Sequence, residues 1–408
     1  VLGRKEAAGA TRRRALRRAR LGGAEFAAAG PSRWRRAPAA GAAAFVALLV
    51  ALSLGGCGGS PRPALLVGAV EDAAKWDPPV PSMERARRAG FGVIVLSAVW
   101  SAPERAPAPS QVAELRRAVA AAAKTKIVPI VAVYSFARST PRTSARRSEF
   151  VAFASALLRS LPTLRYMSIG NEPNSGVFWM PQFSSSGADV AASAYYTLLA
   201  QAYGALKAIE PRLAVIGGSL ASRGSDRPGV GMASHSPTDF IEALGRAFRA
   251  SHASRLPMDL FSLHPYPADS SIPPTIVHRH STTIGIADYP RLVSLLRGAF
   301  GAPPPIIYGE YGINTVIPPD KRHFYEGHRP RSIDPVSAAT QAEYYVEAIR
   351  LAACQPLVRM LLFFHVTDEP LLSGLQSGVF YANNTPKRSL ATVARWARRA
   401  ESRQISCR

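Results

Sequence analysis

After residue 64 the chain alternates eight short apolar runs with helical stretches, and this rhythm limits the fold more than any other feature. The runs occupy residues 65–70, 92–98, 127–133, 166–170, 214–218, 260–264, 305–309 and 359–365. Several are apolar without alternation, as expected of parallel strands buried on both faces. Helical periodicity fills 83–89, 110–125, 144–161, 189–209, 238–251, 289–300, 337–353 and 387–400, with Ser110 expected as an N-cap. Gly90, Pro162, Pro211, Gly301 and Pro356 punctuate the ends. Eight strand–helix units predict an α/β chain folded as a single (β/α)8 TIM barrel, with long loops at its C-terminal face. A doubly wound sheet competes, but no Gly-rich phosphate fingerprint follows the first run. Ile216-Gly217-Gly218-Ser219 has neither the spacing nor the Lys of one.

The first 57 residues read differently. Arg33, Arg35 and Arg36 precede an apolar stretch, 39–54, that is short for a membrane span. It ends in Leu54-Gly55-Gly56-Cys57, which resembles a bacterial lipobox, and Gly58-Gly59-Ser60-Pro61-Arg62-Pro63 follows as a tether. The expected organisation is therefore a leader and signal over 1–57, a tether over 58–63 and one catalytic domain over 64–408. The chain would be exported and held at the outer side of the membrane through a lipid on Cys57, or secreted if the signal is simply cleaved. The Ala/Arg/Gly-rich stretch before Arg33 is assigned no structure.

The formal charge of +23 suggests a polyanion partner, but residues 1–57 carry 11 Lys or Arg against 2 Asp or Glu. The remaining excess is mostly Arg and is spread without a basic run, and no aromatic–basic interleaving marks a nucleic-acid site. Biased composition or attraction to an acidic polymer would each produce it. With Cys57 lipidated, Cys354 and Cys407 remain. Each follows a helix ending at the bottom of the expected barrel, so a disulfide between them is one reading and two inert thiols the other.

Two glutamates sit at the C-terminal ends of apolar runs. Glu172 lies in Tyr166-Met167-Ser168-Ile169-Gly170-Asn171-Glu172-Pro173-Asn174, after the fourth run. Glu310 lies in Ile306-Ile307-Tyr308-Gly309-Glu310-Tyr311-Gly312, at the end of the seventh. In a barrel both reach the catalytic rim, with His264 and His365 ending the sixth and eighth runs. Two carboxylates converging on one cleft are the minimum equipment for cleaving a glycosidic bond.

Over about residues 64–400 the chain resembles clan A glycoside hydrolases, in particular families 39 and 5. The resemblance rests on Asn171-Glu172-Pro173, on Glu310, on His264-Pro265-Tyr266 and on Phe178-Trp179. It implies a retaining glycosidase acting on a β-linked oligo- or polysaccharide by double displacement, with no cofactor. Glu172 would be the acid/base, Glu310 the nucleophile, and Asn171 the partner of the sugar 2-hydroxyl. Tyr266 would hold the nucleophile ionised, and His264 would reach the sugar or the acid/base. Trp179, nearest in sequence to Glu172, would be the sugar platform. Phe183, Trp76, Trp100, Tyr134 and Phe136 are further aromatic candidates.

The chain departs from the clan pattern in three places, one of them Tyr134, near where some members carry a His on the third strand. His365 or a neighbour stands where many members carry a Trp on the last strand, and residues 97–100 replace the usual Arg of the second. Two alternatives therefore stay open: a catalytically silent sugar-binding lipoprotein on the same barrel, and a transglycosylase. His278-x-His280 and His323 lack acidic or Cys partners at ligand spacing, so no metal site is expected.

Overall fold

The computed structural model describes residues 63–229, 232–330 and 334–407. The expected signal, Cys57 and the tether up to residue 62 lie outside the described residues. Eight strands close a barrel in chain order, every neighbouring pair parallel: β1 Leu66–Val70, β2 Val93–Val99, β3 Val128–Tyr134, β4 Tyr166–Ile169, β5 Ala214–Ala221, β6 Leu260–His264, β7 Ile306–Tyr311 and β8 Val358–Phe363. The expected (β/α)8 barrel is the one observed.

Side-chain alternation along each strand creates two apolar layers. Val93, Val95, Ile130, Ile216, Leu260, Ile307, Met360 and Leu362 fill the barrel interior. Their outward neighbours, among them Ile94, Leu96, Val131 and Phe261, meet the helices. The runs look continuously apolar because both layers must be buried, and each large aliphatic side chain contributes roughly 1.5–3 kcal/mol on burial.

The outer ring holds α1 Pro79–Arg88, α2 Pro109–Lys124, α3 Ser144–Ser160, α4 Ala191–Ile209, α5 Pro237–Ala250, α6 Tyr289–Phe300, α7 Ala338–Ala353 and α8 Ser389–Glu401. Ser110 does not cap α2, contrary to expectation. The preceding residue, Pro109, is already helical and Ala108 takes the cap position without a side-chain bond. Proline at the first helical position needs no N–H there and its fixed φ suits the turn. Asp189, expected inside α4, lies just before its cap residue Val190, with Oδ1 accepting from the backbone N–H groups of Ala191 (2.9 Å) and Ala192 (3.1 Å).

Cys354 caps the C-terminus of α7 and is disulfide-bonded to Cys407, beyond α8, with Cα atoms 5.4 Å apart. Of the two readings open from sequence, the disulfide is the one present. It sits at the strand N-terminal face and leaves the opposite face to the long loops.

Candidate active site

The chain leaves β4 through a turn that few sequences could make. Gly170 has φ +89° and Glu172 φ +41°, the left-handed region that disfavours a side chain. A Cβ at Gly170 would lie 2.8 Å from Tyr195 Cε2. Tyr195, on α4, donates its hydroxyl to Ile169 O (2.8 Å) and accepts from Gly218 N–H (2.9 Å), so one buried side chain ties the ends of β4 and β5. The Glu172 N–H donates to Ser219 O at 2.8 Å. Asn174, fully buried, donates to the Ala221 and His235 carbonyls and accepts from Ala221 N–H at 2.9 Å. These bonds offset a backbone strain on the order of 1–3 kcal/mol and hold the Glu172 carboxyl in the barrel mouth.

Glu310 reaches the mouth directly from β7. The residue before it must be small: a Cβ on Gly309 would lie 2.3 Å from Ser262 Oγ and 3.0 Å from the His264 ring. His264 ends β6 and stands between the two acids. Its Nδ1 is 3.2 Å from Glu172 Oε1 and 3.9 Å from Glu310 Oε2. The Tyr266 hydroxyl donates to Glu310 Oε2 at 3.0 Å. One ligand atom from each of Glu172, His264 and Glu310 lies within 4.8 Å of the others.

The surroundings are dry. Glu172 and His264 are 7% and 3% exposed. Burial pushes the Tyr266 hydroxyl well above the usual phenol range, and the Glu310 and Glu172 carboxylates push it further. Tyr266 therefore remains a neutral donor wherever the protein is folded. Burial, followed by Asp72 and Glu310, likewise raises Tyr134, at the end of β3, against an opposing bond from Ser97.

The other expected site residues are placed unequally. Asn171 is half-buried beside Glu172. Trp179 is not an exposed platform: it is 4% exposed, belongs to the main core and packs edge-on against Tyr195 with centroids 5.8 Å apart. Turn bonds from Phe178 and Trp179 N–H to Ser175 O curl the segment back toward α4. Trp100 is also core, with its indole N–H on Glu104 O (2.7 Å). Tyr134, which feels the Glu310 charge, forms an aromatic cluster with Phe136 and Phe178.

His365 follows a cis peptide, and its Nδ1 is 2.6 Å from Val70 O, so it joins β8 to β1. The neighbouring Phe364 ring meets Tyr266 edge-on, with centroids 6.4 Å apart. His278 is held by Asp288, Nδ1 to Oδ2 2.7 Å, as a loop clamp. The His/acid cluster with metal-ligand geometry among the described residues is Glu172–His264–Glu310 itself.

No protein-family model and no curated protein sequence matches the chain. Solved structures do. A family 39 glycoside hydrolase from Bacteroides cellulosilyticus WH2 aligns with a TM-score of 0.58 and 18% identity, over 83% of this chain and 64% of that one. A GH5-4 broad-specificity endoglucanase from Clostridium longisporum gives 0.53 and 11%, over 80% and 86%. A monomeric β-xylosidase from Caulobacter crescentus CB15 gives 0.53 and 14%, over 82% and 68%. The chain spans less than two thirds of the family 39 protein. At these identities the likeness is one of fold alone, that of a (β/α)8 barrel.

Proposed function

We propose that this protein is a retaining glycoside hydrolase that cleaves a β-linked glycan by double displacement. The carrying observation is that Glu172 and Glu310 present carboxylate oxygens within 4.8 Å of each other, with His264 between them. A retaining pair works at roughly 5–5.5 Å and an inverting pair at about 6.5–9.5 Å, because the inverting route must fit a water beneath the sugar. Glu310, held by the Tyr266 hydroxyl, attacks the anomeric carbon. Glu172 gives its proton to the leaving oxygen and then takes one from the water that hydrolyses the glycosyl–enzyme. Asn171, half-buried beside Glu172, would bond the sugar 2-hydroxyl.

A fluorinated mechanism-based glycoside tests this reading. The expected result is one covalent sugar on Glu310, found by peptide mass mapping, and no adduct in Glu310→Gln. Wild-type hydrolysis by Glu310→Ala on an active substrate would sink the proposal. Absence of an adduct across a panel of fluoroglycosides would favour the silent sugar-binding reading. The balance of hydrolysis against transglycosylation follows from product analysis with an added acceptor sugar.

The proposed setting is the outer side of a membrane, with the chain anchored through Cys57. The Leu54-Gly55-Gly56-Cys57 sequence and the Cys354–Cys407 disulfide support it, since disulfides persist outside reducing compartments. Fatty-acid labelling that is lost in Cys57→Ser checks it; equal labelling of the variant removes it.

A further inference from the structure

Arg223 stands two residues beyond β5, in the loop between the Glu172 turn and the Tyr266 loop. Its side chain is exposed, yet its direction is fixed. Nη1 donates to Pro267 O (2.8 Å) and, at longer range, to Tyr266 O (3.5 Å), while Nη2 faces Ala268 O (3.5 Å). The same Tyr266 carbonyl accepts from Ser222 Oγ at 2.9 Å, so the β5 and β6 loops are joined at the rim. Carbonyls aim a guanidinium but do not neutralise it. Among the described residues no ion pair within 4.0 Å is made by Arg223. Its field partners are Glu172 and then Asp269, which favour its charge against the loss of hydration.

An oriented cation on the loop after β5, the strand whose Ser219 O holds the Glu172 N–H, has little use in binding neutral sugar. Uncharged hydroxyls are served as well by amides or by Asn and Gln, without the cost of partly dehydrating a charge. A guanidinium with free N–H groups matches a planar carboxylate or a sulfate, which it can grip with two parallel hydrogen bonds. Outside residues 1–57 the chain keeps a net charge of about +14, which would favour the approach of an acidic polymer.

We propose that Arg223 binds an anionic group, a carboxylate or a sulfate ester, on the leaving-group side of the scissile bond, so that the substrate is an acidic glycan. The inference rests on the glycosidase reading for its place in the cleft, but its test needs no turnover.

Affinity electrophoresis of the full chain through a β-1,4-linked polymannuronate, its methyl ester, a β-linked sulfated galactan and the desulfated galactan separates charge from sugar. We expect retardation by one or both acidic polymers and little by either neutral parent. Retention by the polymannuronate identifies carboxylate, and retention by the sulfated galactan identifies sulfate ester. Arg223→Gln should weaken that retention about tenfold, and Arg223→Lys less. Arg117→Gln, which removes the same charge from the exposed outer face of α2, should leave it unchanged. Equal binding of acidic and neutral forms, equal loss in the Arg117 variant, wild-type retention by Arg223→Gln, or no retention by either acidic polymer would each overturn the inference. None of these outcomes alters the labelling of Glu310, so the two readings can fail separately.

Discussion

The Tyr266 hydroxyl donates to Glu310 Oε2 at 3.0 Å, in a pocket where burial and both acids keep that hydroxyl protonated. Tyr266 and His264 reach the site together because β6 ends at His264 and a short turn, Tyr266 N–H to His264 O at 2.8 Å, folds the chain back over the mouth. A donor aimed at a carboxylate favours its ionised form. Tyr266→Phe should therefore lower kcat/KM by roughly 10²–10³, comparable to losing one preorganised donor. Wild-type kinetics in this variant would mean that the phenol serves packing against Phe364.

Gly309 makes room for this arrangement. A methyl group there would drive into Ser262 and the His264 ring, and backbone that far into the barrel cannot retreat. Gly309→Ala should lose at least tenfold in kcat/KM by displacing His264 from between the acids. The loss should exceed that of Gly298→Ala, whose Cβ meets nothing within 4 Å. Comparable kinetics for the two variants would show that the close approach has no catalytic consequence.

The parts of this site that strand periodicity controls were legible in the sequence. Glu172, Glu310, His264 and Tyr266 follow apolar runs, and a closed parallel barrel sends the C-terminal end of every run to one rim. Residues whose position depends on how a loop folds back were not legible. Trp179 is near Glu172 along the chain, but the turn at Ser175 carries it into the core. His365 and Phe364 lie just beyond the end of β8, where strand alternation no longer sets side-chain direction, and it is Phe364 that meets Tyr266. Tyr195 reads as one more apolar helix position. Only the approach of α4 to the ends of β4 and β5 turns its hydroxyl into a clamp. Arg223 carries no motif, and its interest comes from the carbonyls around it.

The loops after β7 and β8 are locked by a fully buried ion pair. Lys387 Nζ lies 2.7 Å from Asp368 Oδ1 and also donates to Thr315 Oγ1 (2.7 Å) and Gln376 O (2.9 Å). The Tyr325 hydroxyl donates to Asp368 Oδ2 at 2.7 Å and Gly378 N–H to Oδ1 at 2.9 Å. Burial disfavours both charges, raising Asp368 and lowering Lys387, so the pair depends on these partners. Removing one member leaves the other charge stranded. Lys387→Met should cost about 3–5 kcal/mol in denaturant unfolding, and the double variant Asp368→Leu/Lys387→Met less than the sum of the single changes. Strict additivity would refute the coupling.

At the other end of the barrel, Cys354–Cys407 closes a loop with a sequence separation of 53. Chain entropy alone gives such a crosslink about 4 kcal/mol. Cys354→Ser/Cys407→Ser should lower stability by roughly 2–4 kcal/mol and leave kcat and KM within about twofold, because the bond is on the face away from the acids. A large change in kcat with unaltered stability would place the C-terminal tail in communication with the cleft.

The cluster that supports sugar cleavage also has the makings of a metal trap. Glu172, His264 and Glu310 offer two carboxylate oxygens and an imidazole nitrogen within 4.8 Å of one another, a donor set suited to Zn2+. A bound ion would occupy the position of the anomeric carbon and neutralise the nucleophile. Added Zn2+ should therefore inhibit competitively with substrate, and excess chelator should restore full activity. Chelator alone should change nothing if, as the donor chemistry of the proposed mechanism implies, the two acids work without a metal. Steady-state inhibition measured over a range of substrate concentrations checks this. Mixed inhibition would locate the ion elsewhere on the protein.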